Sequence, residues 1–174
     1  MRNLVKASVA LLVLAVSNAA GAVVLPPGGA VAVPGVLAGD PTHGPGQVVV
    51  NDNLVPFFIL PDPVNLPFFG VGGDIQNRVG DPTNGAPLIF SPRIRNTFNI
   101  FGDFFAITGI EVAGYAGFAT DVAFRPDGDG DRGPTTATRS ADGDSIAFDF
   151  GAPLLVDSLL GGPQDESFFL SIAT

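Results

Sequence analysis

Residues 145–150 carry the strongest constraint on the fold of this chain. Large apolar residues alternate there with smaller or charged ones, at Ile146, Phe148 and Phe150. Successive side chains of a strand point to opposite faces, so a period of two places these three on one face of a β-sheet. A second strand-like run, at 120–125, precedes them across a loop rich in Asp and Gly. The segment predicts a strand–loop–strand unit.

The rest of the sequence is also typical of short strands joined by turns. The 174 residues include 23 Gly, 16 Pro and 15 Phe but a single Met. Phe supplies the core that a disordered chain would lack. Turn signals recur about every eight to twelve residues. We therefore predict an all-β domain, an antiparallel β-sandwich of jelly-roll or immunoglobulin-like type with about eight to ten short strands. A closed barrel is the second option.

The turn residues set the limits of the predicted strands. Glycines at 70–73 predict a turn, and residues 154–160 are the one segment that could form a helical turn. In the last strand Phe168, Leu170 and Ile172 are expected to face inward. Strands are expected at residues 47–50, 55–60, 66–71, 74–79, 88–94, 96–105, 106–113, 120–125, 145–150 and 166–173.

Residues 1–22 have the pattern of a secretory signal peptide. Arg2 and Lys6 precede a short apolar run, and small residues follow at 20–22. Cleavage would leave six arginines against seventeen carboxylates, a net charge of −11 and no Cys. The sequence thus predicts a secreted, extracellular or cell-surface protein with no transmembrane segment in the mature chain. A nucleic-acid partner is disfavoured, because phosphate binding relies on clustered Lys and Arg.

Residues 23–46 are rich in Pro and Gly and have no clear period. We expect them to be extended, as a leader or as a first edge strand, ahead of a β-sandwich domain at 47–174. The only histidine, His43, lies in this segment, where we expect it to be solvated. The final predicted strand, 166–173, ends next to the last residue, Thr174, with no tail after it, which predicts a truncated or unusually short protein.

Four segments resemble a recurrent type of exported bacterial protein. They are GDIQNRV at 73–79, RIRN at 93–96, FATDVAFRPDG at 118–128 and GPTTATRSADGDSIAFDFG at 133–151. Many proteins of this type carry a C-terminal PEP-CTERM sorting tail. The resemblance implies an extracellular β domain and little chemistry. This chain ends without the Pro-Glu-Pro motif, apolar anchor and basic tail of that type.

A possible calcium loop lies between the strands at 120–125 and 145–150. Alternate carboxylates with Gly between them suit a hard cation, which needs several oxygens from one turn. The EF-hand pattern is broken, because Arg132 and Thr138 stand where it needs Gly and Glu. The alternative is a solvated hairpin tip in which Asp and Gly only shape the turn. Calcium is thus the one candidate cofactor, and its candidate ligands are Asp127, Asp129, Asp131, Asp142 and Asp144.

Catalytic patterns are scarce in this sequence. With one His, no Cys and no Gly-x-Ser-x-Gly motif, the chain is expected to be non-catalytic. A carboxylate pair for glycoside cleavage stays open, because many Asp are present. The arginines at 78, 93, 95, 125 and 139 are expected to pair with Asp on the sheet surface.

We therefore predict a secreted or cell-surface structural or matrix protein of unknown partner. The alternative is an extracellular module that binds polysaccharide, or mediates calcium-dependent adhesion, through residues 127–144. The chain has no Trp and a single Tyr, whereas sugar-binding sandwiches usually present such rings for stacking.

Overall fold

The computed structural model describes residues 21–44, 46–51, 54–60, 70–82, 85–100, 105–157 and 164–174. Every regular element in these ranges is a β-strand. None of the described residues belongs to a helix with the length and apolar character needed to cross a membrane. The thirteen strands of these ranges are β1 (Val23–Val24), β2 (Ala30–Ala32), β3 (Gln47–Asn51), β4 (Val55–Ile59), β5 (Gly70–Gln76), β6 (Arg78–Asp81), β7 (Ile89–Phe90), β8 (Arg93–Ile100), β9 (Phe105–Val112), β10 (Asp121–Arg125), β11 (Thr136–Arg139), β12 (Ile146–Val156) and β13 (Phe169–Ala173).

The strands form three antiparallel sheets. A six-stranded sheet has the order β1-β10-β13-β7-β6-β3, a four-stranded sheet β2-β11-β12-β9, and a three-stranded sheet β4-β5-β8. Arg78 and Ser91 exchange two backbone hydrogen bonds, of 3.2 and 2.7 Å. These bonds join the β6–β7 ladder to the β5–β8 ladder, so the six- and three-stranded sheets continue into each other there.

Two apolar clusters lie between the sheets. In one, Phe148 of β12 packs with Leu170 of β13; in the other, Phe150 of β12 packs with Ile94 of β8. β12 serves both clusters because it is long and has a register shift after Asp149. The six- and three-stranded sheets thus cover the same four-stranded sheet. The predicted all-β antiparallel sandwich is confirmed, while its jelly-roll or immunoglobulin-like type stays a prediction.

Residues 23–46, for which the sequence left a leader or an edge strand open, contribute edge strands to two sheets. β1 pairs with β10, and β2 pairs with β11. Leu25 and Val33 belong to the core cluster of Phe148. These residues are part of the packed domain, so the boundary predicted at residue 46 does not set a leader apart. The expectation that His43 is solvated is wrong, because its side chain is enclosed in the domain and only 1% exposed.

Residues 70–73, predicted as a turn, belong to strand β5. Aromatic rings of the neighbouring strands lie where side chains at these glycines would be. A Cβ at Gly72 would collide with the Phe98 ring, and one at Gly70 would lie 2.6 Å from the Phe58 ring. Glycine fits this strand because the absence of a side chain lets the adjacent rings lie over the backbone.

Other differences concern the limits of the strands. The strand predicted at 74–79 is divided between β5 and β6, and β11 lies inside the predicted Asp-rich loop. Such divisions explain why the described residues hold more strands than predicted. Leu170 and Ile172 face the core as predicted, whereas Phe168 is only half-buried. Where the sequence allowed a helical turn from 154, strand β12 continues to Val156. Parts of several predicted elements lie outside the described residues, at 66–69, 101–104 and 158–160.

Candidate functional site

The five aspartates of the predicted calcium site fall into two groups. Asp127, Asp129 and Asp131 lie between β10 and β11, whereas Asp142 and Asp144 lie between β11 and β12. Within the described ranges, no three acidic or histidine side chains come together in a way that could hold a metal ion. The calcium site therefore stays a prediction.

Asp142 shapes the turn between β11 and β12. Its Oδ1 accepts hydrogen bonds from the Ser140 hydroxyl at 2.5 Å and from the backbone N–H of Asp144 at 3.1 Å. The Ser140 bond, helped by the Asp144 bond, lowers the pKa of Asp142 below its ordinary 3.8. These are the contacts of an aspartate that organises a turn.

Asp127 and Asp131 fasten the connection between β10 and β11. Asp127 accepts hydrogen bonds from Arg125 Nε at 2.7 Å and from the N–H of Ala38 at 2.6 Å. The Arg125 bond is the main reason that the pKa of Asp127 lies below its ordinary 3.8. Asp131 accepts a hydrogen bond of 2.8 Å from the N–H of Glu166. Both carboxylates therefore already stabilise the fold through hydrogen bonds with other parts of the chain.

Four arginines meet at a groove beside this connection: Arg78, Arg93, Arg95 and Arg125. The groove has a volume of about 280 Å³. It lies on the outer face of the sheet, since Phe124 points into the core and Arg125 follows it on the strand. Four of the six arginines beyond the predicted signal peptide are gathered here. The sequence predicted that these arginines pair with Asp on the sheet surface, and it did not predict that four of them lie together.

Two of the groove arginines have carboxylate partners. Arg93, which is 3% exposed, lies 2.5 Å from Glu166 and 3.5 Å from Asp129. Arg125 pairs with Asp127. The Asp129 side chain is 90% exposed, so this carboxylate is more accessible than that of Glu166 or of Asp127.

The other two contact amide oxygens. Arg78 Nε lies 3.5 Å from Asn51 Oδ1, and Arg95 Nη1 donates to Gln76 Oε1 at 3.2 Å. No carboxylate of the described residues lies within 4.0 Å of either guanidinium group. Asp74 is opposite Arg95 in the ladder but accepts a hydrogen bond from the amide side chain that follows Arg95. The Nε of Arg95 is buried and has no hydrogen-bond partner in the described structure.

Phe169 forms an apolar platform in the groove. Its ring centroid lies 4.4 Å from the guanidinium carbon of Arg78 and 5.3 Å from that of Arg93. Phe169 lies opposite Arg125 in one ladder, and Arg93 lies opposite Gln76 in another. The strand register therefore brings lining residues of five strands, β5, β6, β8, β10 and β13, together around the groove. Cation–π contacts hold the stacked guanidinium groups while leaving their N–H edges free to bond.

Arg139 is used differently. It is 4% exposed, and no carboxylate in the described part of the chain lies within 4.0 Å of it. All of its N–H groups donate to oxygens of the fold, at 2.8 to 3.1 Å. The acceptors are the carbonyls of Gly143, Leu25, Tyr115 and Phe118 and the hydroxyl of Thr120. Arg139 thus links the backbone at Leu25 to the turn at Tyr115 and Phe118 and to the turn at Gly143.

His43 and Ser171 form a second buried polar contact. The distance from His43 Nδ1 to Ser171 Oγ is 2.6 Å, and both side chains are at most 1% exposed. Asp40 accepts a hydrogen bond from the backbone N–H of His43, not from its ring. Burial lowers the pKa of His43, an effect that nearby Asp40 and Asp121 partly offset. The contact fastens the 23–46 segment to β13.

Two clefts flank Tyr115, with volumes of about 370 and 290 Å³. The Tyr115 ring meets Phe90 edge to face at 6.0 Å. Burial raises the pKa of Tyr115 to about 12. Neither cleft gathers charged groups as the arginine groove does, so the groove is the candidate site.

β3 and β4 form a sheet edge with which no further strand of the described residues pairs. β3 is the last strand of the six-stranded sheet, and β4 is the last strand of the three-stranded sheet. All of β3 is exposed, and so is β4 except for one residue. Val49 and Ile59 are about half exposed, at 49% and 51%. Long apolar edges of this kind are prone to pair with another strand.

Comparisons of the chain with protein-family models, with curated proteins and with solved structures find no match. We therefore infer function from the fold and from its surfaces. Sequence alternation could have placed Arg93 and Arg95 on one face, since they stand two residues apart on a strand. Arg78 and Arg125 join them only through the pairing of distant strands.

Proposed function

We propose that this protein is an exported, non-catalytic structural component of an extracellular matrix or cell surface. The β3–β4 edge is the observation that carries this proposal. Export is supported by the signal-peptide pattern of residues 1–22. A sandwich without Cys needs no oxidative pairing to persist outside the cell, because its two clusters supply the core.

The β3–β4 edge suits assembly with a second copy of the chain. An edge strand presents unpaired backbone N–H and C=O groups, and natural proteins usually protect such edges with charges. Residues 47–60 contain a single charged residue, Asp52. Two copies of a chain with net charge −9 would repel each other over most of their surface, and this edge is where that repulsion is least. Pairing there would extend the sheet and cover the apolar side chains.

Analytical ultracentrifugation over a range of protein concentrations tests this proposal. The wild-type protein is expected to form dimers or larger species as its concentration rises. A variant with Val49→Lys and Ile59→Lys is expected to stay monomeric, because each edge then carries two added like charges. Leu37→Lys is the control, since Leu37 is 66% exposed and lies outside the strands. A wild-type protein that stays monomeric at every concentration contradicts assembly through this edge.

Calcium-dependent adhesion through residues 127–144 remains the second candidate function. The exposure of Asp129 supports it, because this carboxylate is free to turn toward a cation. Calorimetry is expected to show heat of calcium binding that Asp129→Ala and Asp131→Ala abolish. No heat at millimolar calcium would remove this candidate. A relation to the PEP-CTERM type of exported protein is likewise a proposal, supported by the segments at 73–79, 93–96, 118–128 and 133–151.

A further inference from the structure

We propose that the arginine groove is a binding site for the carboxylate groups of an acidic saccharide. The site would be formed by Arg95 and Arg78, with Phe169 as its floor. It is separate from the β3–β4 edge and from the predicted calcium loop. The choice of a saccharide as the carrier rests on the proposed extracellular role, whereas the carboxylate chemistry rests on the groove itself.

Charge is the first reason for this inference. The chain is acidic, with a formal net charge of −9, yet the groove gathers four guanidinium groups against three carboxylates, Asp127 and Asp129 of its lining and Glu166 bound to Arg93. The positive charge is therefore local. An overall acidic protein repels polyanions of high charge density such as nucleic acids. A saccharide that carries one carboxylate per sugar is repelled less and still supplies the anion.

The unused donors of Arg95 are the second reason. A buried N–H without a partner costs free energy, so a ligand oxygen that bonds to it is favoured. Arg95 Nε is such a donor, although it is buried and the side chain has to turn before a ligand in the groove can reach it. The guanidinium also has N–H groups beyond the one that contacts Gln76. A carboxylate can bond two N–H groups of one arginine in parallel, which a neutral hydroxyl cannot do.

The floor and size of the groove are the third reason. Phe169 holds Arg78 by stacking, so this guanidinium loses little freedom when a ligand binds. Gln76 is 6% exposed and fixes Arg95 through its side-chain oxygen. A volume of about 280 Å³ lies at the lower end of small-molecule sites and suits one sugar unit of a longer chain.

Calorimetric titration of the purified protein with trigalacturonate, a trimer of a uronic acid, tests the site. Wild-type protein is expected to bind the trimer, with an affinity that falls as salt is added. Arg95→Gln is expected to weaken binding by about tenfold or more, and Arg95→Lys by less, because charge is kept while the two-pronged contact is lost. Arg132→Gln is the matched control, since Arg132 is surface-exposed, pairs with Asp165 and lies outside the groove. It should leave the affinity within about twofold.

Separate titrations identify the chemistry of the ligand. The neutral trimer galactotriose lacks the charge, and inorganic sulfate and phosphate lack the sugar that would pack on Phe169. Each is therefore expected to bind at least about tenfold more weakly than trigalacturonate. Equal binding of galactotriose would overturn the role of charge, and equal binding of sulfate or phosphate would overturn the carboxylate assignment. Failure of the wild-type protein to bind trigalacturonate, or full affinity in a folded Arg95→Gln variant, would overturn the site. None of these results depends on whether the protein assembles through the β3–β4 edge.

Discussion

Arg139 and Arg95 place the same side chain in two different settings of one sandwich. Arg139 is enclosed, and all five of its N–H donors are used by oxygens of the fold. Arg95 lines an open groove, makes one amide contact and keeps a buried Nε–H without a partner. The fold supplies a hydrogen-bond partner for every N–H group of Arg139 but not for every N–H group of Arg95.

This difference separates stability from binding. A buried polar group contributes to stability when every donor is paired, and it is costly when one is not. Arg139 is therefore a structural tie, whereas Arg95 has donors left for a ligand. If this is correct, changes at the two positions should have different consequences.

The largest expected effect is that of Arg139→Lys. Lysine keeps the charge but cannot reach all the carbonyls that the planar guanidinium joins, so we expect the free energy of unfolding to fall by about 3 kcal/mol. Urea unfolding measures the change. Arg132→Lys, at a position that is 43% exposed, should change stability by less than about 0.5 kcal/mol. Equal small losses for both variants would show that Arg139 is not a structural tie.

Gly130→Ala should have the next largest effect, because it strains the rim of the groove. Gly130 has a φ of +140°, and a Cβ there would lie 2.6 Å from the carbonyl oxygen of Ser167. We expect a loss of about 2 kcal/mol in the free energy of unfolding. Gly128→Ala is the control, since a Cβ there would lie 3.6 Å from its nearest neighbour, the carbonyl oxygen of Arg125. Similar losses at 128 and 130 would contradict this account of the rim.

His43 is also a buried basic side chain, and its ring nitrogens do not all have a hydrogen-bond partner in the described structure. Its pKa in the fold is lowered by burial from the ordinary 6.5, so the unfolded chain binds the proton more readily. Stability is therefore expected to be complete above pH 6.5 and to fall as the pH drops below 6.5 toward the lowered pKa. Urea unfolding between pH 7 and 5 should show this slope in the wild-type protein and a flatter one in His43→Gln. An unchanged slope in the variant would assign the effect to other titratable groups.

The smallest expected change in stability is that of Asp127→Asn. The Arg125 pair is partly exposed, so its loss should cost about 0.5 kcal/mol. That contribution is present above pH 3.8, and it is lost as the pH falls below 3.8 through the lowered pKa of Asp127. Because Arg125 is freed, trigalacturonate affinity is expected to rise in calorimetry, whereas Asp144→Asn should leave it unchanged. A fall in affinity would mean that Asp127 positions Arg125 for the ligand.

The sheet character of the chain could be predicted from its alternating residues. Ile146, Phe148 and Phe150 face the core as their spacing indicates. The continuation of strand β5 through residues 72–73 could not be predicted, because the rings of Phe58 and Phe98 that lie over its glycines are seen only in the fold. That contact joins residues distant in sequence.

The candidate site was less predictable than the fold. The Asp-rich loop attracts attention in the sequence because its charges are adjacent, yet its carboxylates separate into two turns. The groove arginines stand on β6, β8 and β10, and only strand register brings them together. The burial of His43 could not be predicted from the sequence either, since its partner Ser171 is 128 residues away.

Urea unfolding with and without trigalacturonate, on the wild-type protein and on Arg95→Gln and Arg139→Lys, tests the central claim most directly. A ligand that binds only the folded state raises the unfolding midpoint. We predict that the trimer raises the midpoint of the wild-type protein and of Arg139→Lys but not that of Arg95→Gln. Without ligand, only Arg139→Lys should have a clearly lower midpoint. The same ligand-induced rise in all three proteins, or equal loss of stability in both variants, would contradict the division between a structural arginine and a binding one.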